Sequence, residues 1–508
     1  LHERALQVTE SALGPEHPDT AIRLGNLAST YSDLGRHAEA LPLHERALQV
    51  TESALGPEHP DTAIRLGNLA STYSNLGRHT EALQRKERAL QITESALGPE
   101  HPDTAIRLGN LASTYSDLGR HAKALPLEER ALQITERTLG PDHPSTANRL
   151  SNLATTHSNL GRHAEALPMY ERALRITESA LGPEHPSTAI RLDNLATTHS
   201  NLGRHAEALP MHERALRITE SALGPEHPST AIRLGNLAST FRRLGRHAEA
   251  LPLEERALRV TESALGPEHP STAVRLGNLA TTYSELGRQA EALPLEERAL
   301  QITERTLGPD HPSTAIRLGN LASTFRRLGR HAEALPLEER ALRITESALG
   351  PEHPSTAVRL DNLAVTYSNL GRHAEALPMH ERGLRITESA LGPEHPSTAI
   401  RLGNLASTFR RLGRHADALP LHERALQTTE SALGPEHPDT ALRLNNLATT
   451  YSELGRHAEA LPLAERALQI TEAALGPDHP DTALRLSNLT ALRERLADTP
   501  RNEPPADA

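Results

Sequence analysis

Between Asp61 and Leu76 the apolar residues Ala63, Leu66, Leu69, Ala70, Tyr73 and Leu76 recur at spacings of three and four with polar residues between them, which places them on one stripe of a helix. Asp61 follows Pro60, and the same position is Asp or Ser in other copies (Asp19, Asp103, Ser145, Ser229, Asp481). Both residue types accept hydrogen bonds from the free N–H groups of a first helical turn, so the helix is expected to be capped there. Gly77 supplies the left-handed conformation of a helix stop. A second helix is expected from about His79 to Leu97, with Leu83, Ala89, Leu90 and Leu97 among its buried residues and Gly98-Pro99 as its terminator. The stretch Gly98-Pro99-Glu100-His101-Pro102 is then the loop to the next pair. Most copies carry a Pro early in the second helix (Pro42, Pro126, Pro168), which should bend that helix or delay its start.

This pair of helices is one copy of a 42-residue unit that begins at Leu1, restarts at Leu43 and returns at the same interval to Leu463. A period of about 20–50 residues denotes a stacked array in which each unit buries its apolar face only against its neighbours. The 508 residues are therefore expected to form one all-α solenoid rather than several globular domains. Residues 1–18 read as the second helix of a truncated repeat plus its loop, and 19–480 as eleven complete helix pairs. Residues 481–497 read as a terminal capping helix, with Arg493, Glu494 and Arg495 on a solvated face, and 498–508 as a disordered tail. The chain opens inside a repeat, which suggests a missing N-terminal part, and closes on what reads as a true C-terminus.

Composition narrows the function classes. There is no Cys, which removes disulfides and thiolate sites and suits a reducing compartment; the cytoplasm is the expected location. No apolar run reaches the roughly 18 residues of a membrane span. A net charge of −11 and only 2% aromatic residues, with no Trp, argue against a nucleic-acid partner.

The pattern Leu66, Leu69, Ala70, Tyr73, Gly77, Ala82, Ala89, Leu90 resembles the tetratricopeptide repeat, and the loop Leu-Gly-Pro-Glu/Asp-His-Pro-Asp/Ser-Thr-Ala resembles its long, 42-residue, kinesin-light-chain-like subclass, also found in many bacterial proteins. The resemblance implies a right-handed superhelix of antiparallel helix pairs whose first helices line a concave groove. It also implies that an Asn beside the Leu-Ala pair holds the backbone of an extended ligand. The matching residues are Asn68, Asn110, Asn152, Asn194, Asn236, Asn278, Asn320, Asn362, Asn404 and Asn446, with Asn26 and Asn488 at the ends. Two departures stand out. The large aromatic usual before the Ala-Leu pair is replaced by His44, Lys86, Glu128, His212, Glu254 or Ala464 and is kept only as Tyr170, so individual interfaces should be softer. The heptad coiled coil of kinesin light chains is absent, which leaves a binding scaffold rather than a motor subunit.

Differences between copies add one candidate. Three first helices end in Phe-Arg-Arg, at Phe241-Arg242-Arg243, Phe325-Arg326-Arg327 and Phe409-Arg410-Arg411, in every second repeat. Neighbouring groove helices pack about 8–10 Å apart, so the pairs should lie on the order of 20 Å from one another, within reach of a short extended peptide. The expected ligand is an extended acidic segment whose carboxylates or phosphates meet these Arg pairs. Of 29 His, twelve fall in the loops and ten at second-helix starts; single residues one repeat apart do not converge on a metal, and no cofactor is expected. Phosphate-loop, zinc-protease and nucleophile-elbow motifs are absent, so no enzyme is expected. The reading is a non-catalytic protein–protein interaction scaffold. Its alternative is the sensor or autoinhibitory arm of a larger signalling protein, such as a nucleotide-driven switch.

Overall fold

The structure, a computed structural model, describes residues 1–477 and 479–497. Those residues form 24 helices and no strand. A lone helix α1 (His2–Leu13) is followed by eleven antiparallel pairs, from α2 (Pro18–Asp33) with α3 (His37–Leu55) to α22 (Pro438–Glu453) with α23 (His457–Leu475), and then by α24 (Pro480–Ala497). The tail expected at 498–508 lies outside the described residues.

In the pair α4 (Pro60–Asn75) and α5 (His79–Leu97) the local chemistry is clear. The cap of α4 is His59, not Asp61: its Nδ1 accepts the Asp61 N–H at 3.1 Å. Pro60 sets its own φ for the first turn and has no N–H to satisfy, so the helix starts one residue before Asp61, whose carboxylate instead sits at the positive end of the helix dipole. At the other end the Arg78 N–H reaches the Tyr73 carbonyl at 2.8 Å and the Gly77 N–H reaches Ser74 at 2.9 Å. That double closure needs a positive φ, which Gly77 supplies at 73°. Across the next loop, the buried Thr104 donates its hydroxyl to the Gly98 carbonyl at 2.8 Å, tying each second helix to the first helix of the following repeat.

Ala63, Leu66, Leu69, Ala70 and Tyr73 are buried, packed with Ala82, Ala89 and Ile92 of α5. Leu76 is only half-buried, as are Leu83 and Leu90, and Leu97 is exposed. The second helix instead buries Ala82, Lys86, Ala89, Ile92 and Thr93. Leu97 protrudes because α5 has 19 residues against 16 in α4, an overhang of about 4–5 Å at a rise of ~1.5 Å per residue. Pro42 lies inside α3, which begins at His37, so its start is not delayed.

Each first helix packs on the second helix of its own repeat and on that of the preceding one. Successive first helices also approach one another, whereas second helices do not to the same extent, so the array curves with the first helices inside. The result is a superhelical solenoid of stacked helix pairs. Successive turns touch: His311 Nε2 lies 3.2 Å from the Asn75 carbonyl, His353 Nε2 3.2 Å from Asp117, and His395 Nε2 3.3 Å from Asn159, each pair separated by 236 residues. One turn therefore takes between five and six of the 42-residue units.

Candidate functional site

On α4 the solvent-facing positions are Ile64, Asn68, Ser71 and Asn75, spaced four, three and four apart along the inward side of the curve. Asn110 and Asn152 are exposed; Asn68, Asn194, Asn236, Asn278, Asn320, Asn362, Asn404 and Asn446 are half-buried. The ladder is not uniform. Asn236 and Asn404 donate to the carboxylates of Asp193 and Asp361, at 2.7 and 2.8 Å, and Asn488 donates to Asn445 at 3.0 Å. The side chains of the other ladder members make no hydrogen bond within the described residues and remain available to a ligand.

Beside the Asn row runs a second one that sequence reasoning missed. Ile22, Ile64, Ile106, Ile190, Ile232, Val274, Ile316, Val358, Ile400, Leu442 and Leu484 are all exposed, by 37–56%, and only Asn148 interrupts them. The signal was present: Ile64 falls outside the buried stripe and four residues before Asn68, hence on the same face. The inward surface is thus an aliphatic row and an amide row side by side, with Ser or Thr beyond in most copies and the exposed Val365 in one.

The Arg pairs divide into two roles. The first member turns inward to the chain's own carboxylates. Arg410 makes two charge-assisted bonds to Glu453, at 2.6 and 2.5 Å; Arg242 lies 3.9 Å from Glu285; and Arg326 donates to Glu338 at 2.6 Å and to the Asn362 carbonyl at 3.3 Å. The second members, Arg243, Arg327 and Arg411, are exposed and in helical register with the Asn row. Arg327 also donates to the Ser284 carbonyl at 3.2 Å.

Between repeats lies a buried polar column. The position that lacks its aromatic is buried in every pair: His44, Lys86, Glu128, Tyr170, His212, Glu254, Glu296, Glu338, His380, His422 and Ala464. It faces an Arg from the next first helix, and the charge of that Arg is answered in one of four ways. Glu128, Glu254, Glu296 and Glu338 face Arg149, Arg275, Arg317 and Arg359. Asp193 and Asp361 pair with Arg233 and Arg401. Where the column offers no acid, the Arg finds one on its own helix, Asp61 for Arg65, Asp103 for Arg107 and Asp439 for Arg443. Arg191 alone among these uses neutral acceptors, Ser151 Oγ at 2.9 Å and Asn148 Oδ1, both at positions where this copy differs from its neighbours. The Asp/Ser alternation at the helix start is thereby explained as charge balance. Burial pushes Glu128, Glu254, Glu296 and Glu338 up to about 7 despite the Arg beside each, and pushes His44 and His422 down to about 4.

The loop histidines act as helix caps, with Nδ1 accepting from the residue two ahead at 3.0–3.1 Å in each loop from His17 to His479. Among the described residues no group of three or more His, Asp or Glu is arranged to hold a metal ion, and no helix is long and apolar enough to cross a membrane.

The sequence profile of the tetratricopeptide repeat matches residues 1–47, 24–95, 66–137, 118–179, 150–221, 190–263, 295–347, 339–389, 356–427, 402–473 and 444–501, and a second tetratricopeptide profile matches 272–313. No curated protein sequence matches. Solved structures similar to this chain include two of nearly identical TPR-like repeats from a candidate kinesin light chain of Podospora anserina. Both are 30% identical and cover 41% of this chain and 97% or 98% of their own, with TM-scores of 0.36 and 0.35. Another is BtubC (BKLC) from P. vanneervenii, 23% identical over 46% of this chain and 91% of its own, with a TM-score of 0.38.

Proposed function

The chain belongs to the tetratricopeptide repeat family, and on that premise we propose that it is a non-catalytic protein-interaction scaffold whose inward face holds an extended segment of a partner protein. The observation that carries this reading is the row of exposed aliphatic side chains beside a row of exposed or half-buried amides, repeated on every first helix but that of Asn148. An extended backbone presents N–H and C=O groups in alternation, and a carboxamide can donate to one and accept from the other. The aliphatic row gives alternate side chains an apolar surface to cover.

Acidic side chains on the segment meet Arg243, Arg327 and Arg411 at the edge of that face. Arg242, Arg326 and Arg410 are already matched by Glu285, Glu338 and Glu453, so three arginines rather than six set the preference. The test is peptide display against the purified chain at low and moderately raised salt. Acidic extended segments that fade with salt, and that are lost when Arg243, Arg327 and Arg411 are replaced together by Ser, support the reading. Unchanged capture in the triple variant removes the acidic preference, and no capture at either salt removes the scaffold.

A further inference from the structure

The contacts between successive turns are built from the same two parts each time. A glycine that ends a first helix lies beneath a loop Pro or His of the turn above: Gly35 under Pro270, Gly77 under Pro312, Gly119 under Pro354, Gly161 under Pro396, Gly203 under Pro438 and Gly245 under His479. A Cβ at Gly119 or Gly161 would lie 2.5 Å from a proline ring carbon, so the turns close to this distance only over glycine.

At His311, His353 and His395 both ring nitrogens are used. Nδ1 accepts the N–H of Ser313, Ser355 or Ser397 at 3.0 Å and caps the histidine's own first helix. Nε2 then carries the single proton and donates it across the seam to the carbonyl of Asn75, Asp117 or Asn159. Only the neutral ring with its proton on Nε2 can do both. A second proton would occupy the acceptor that caps the helix and place a cation at the positive end of the helix dipole. It would also face another imidazole, since His79, His121 and His163 stand across the seam.

The surrounding charges give little relief. The loops contribute Asp310, Glu352 and Glu394, each adjacent in sequence to its histidine. Opposite His311 are Arg78 and Glu81, already paired with one another. Opposite His353 are Arg120 and Lys123, with the Asp117 carboxylate 3.8 Å from His79 Nδ1, and Arg162 precedes His163 at the third corner. Burial pushes His353 and His395 down to about 4 and lowers His311.

We propose that these seam histidines are a latch that joins successive turns and closes the inward face into a sleeve, and that their protonation releases it. The sign follows from linkage: the open form, with an ordinary imidazole near ~6.5, binds the proton more readily than the closed form, so closure is complete above that pH and weakens as pH falls toward about 4. Opened along the seam, the inward face is reached from the side; closed, an extended ligand enters only along the axis. The latch does not depend on what that face binds.

The chain has no Cys, so labels can be placed uniquely. Thr80→Cys and Ser347→Cys line opposite walls of one seam. A spin-label distance between them, measured at about pH 7.5 and about pH 5 with helicity followed in parallel, tests the latch. The expected result is a short distance at the higher pH and a longer one at the lower, with helicity unchanged. His269 and His437 also bond across the seam, to the backbone of Asp33 and Asn201, so adding His269→Asn, His311→Asn, His353→Asn, His395→Asn and His437→Asn together, which keep an N-cap acceptor but cannot span the seam, should give the long distance at both. A distance that ignores pH, one that lengthens only together with loss of helicity, or a fivefold variant that keeps the short distance overturns the proposal.

Discussion

Asp193 and Arg233, 40 residues apart on the first helices of neighbouring repeats, form an ion pair with side chains only 4% and 10% exposed. The same carboxylate binds His212 Nδ1 at 2.8 Å and the Asn236 amide at 2.7 Å, and Asp361 repeats the arrangement with His380, Arg401 and Asn404. Asp occurs at this position only where the facing second-helix residue is His. Where that residue is Glu, the position is Gly. The buried second-helix position and the first-helix residue 19 before it thus never both carry a carboxylate.

Asp193→Ala should therefore cost about 3–5 kcal/mol locally, since it leaves a buried guanidinium without its anion. The double change Asp193→Gly with His212→Glu recreates the arrangement of Gly235 and Glu254 and should recover most of that loss. Amide hydrogen exchange in α10 (Pro186–Asn201), α11 (His205–Leu223) and α12 (Pro228–Arg243) reads both. Equal protection in the single and double variants would contradict the pairing.

The buried glutamates give the array a pH dependence. Burial pushes the Glu296 carboxyl up to about 7, above the usual carboxylate range. A raised carboxyl favours the folded state below the unfolded value, near ~4.3, and that contribution is lost as pH rises through about 7. Replacing Glu128, Glu254, Glu296 and Glu338 with Gln should flatten the decline in the denaturation midpoint between about pH 5 and about pH 8. His44 and His422, lowered to about 4, act in the opposite sense, their contribution being present above ~6.5 and lost as pH falls through about 4.

The loop cap separates two readings of the helix start. His59→Asn retains an acceptor for the Asp61 N–H and should leave local stability within a few tenths of a kcal/mol, whereas His59→Ala should cost about 1 kcal/mol. Amide exchange at the start of α4 measures the difference. If Asp61 were the cap, Asp61→Ala would be the damaging change instead.

What the sequence discloses here depends on distance along the chain. The helix pairs were legible because Ala63, Leu66, Leu69 and Ala70 lie within single turns of one another and Gly77 and Gly98-Pro99 are local stops. The cap was misassigned because Asp61 and His59 flank the same Pro and the more usual capping residue drew the assignment. The partner of Arg410 was missed because Glu453 lies 43 residues on, in a copy read as a variant of the same sentence rather than as its complement. The seam was out of reach: the pairing of His311 with Asn75 sums small rotations over more than five repeats, and no pattern within one repeat encodes that sum.

The central claim is that the inward row of aliphatic and amide side chains is the binding surface. It is tested most directly by comparing peptide capture by the native chain and by Ile190→Ser/Asn194→Ala/Ile232→Ser, all on the solvent-facing side of first helices. The account predicts unchanged helicity and at least about a tenfold loss of affinity for every segment the native chain selects, the scale expected when central anchor contacts are removed. Undiminished affinity in the triple variant would place the binding surface elsewhere and contradict the account.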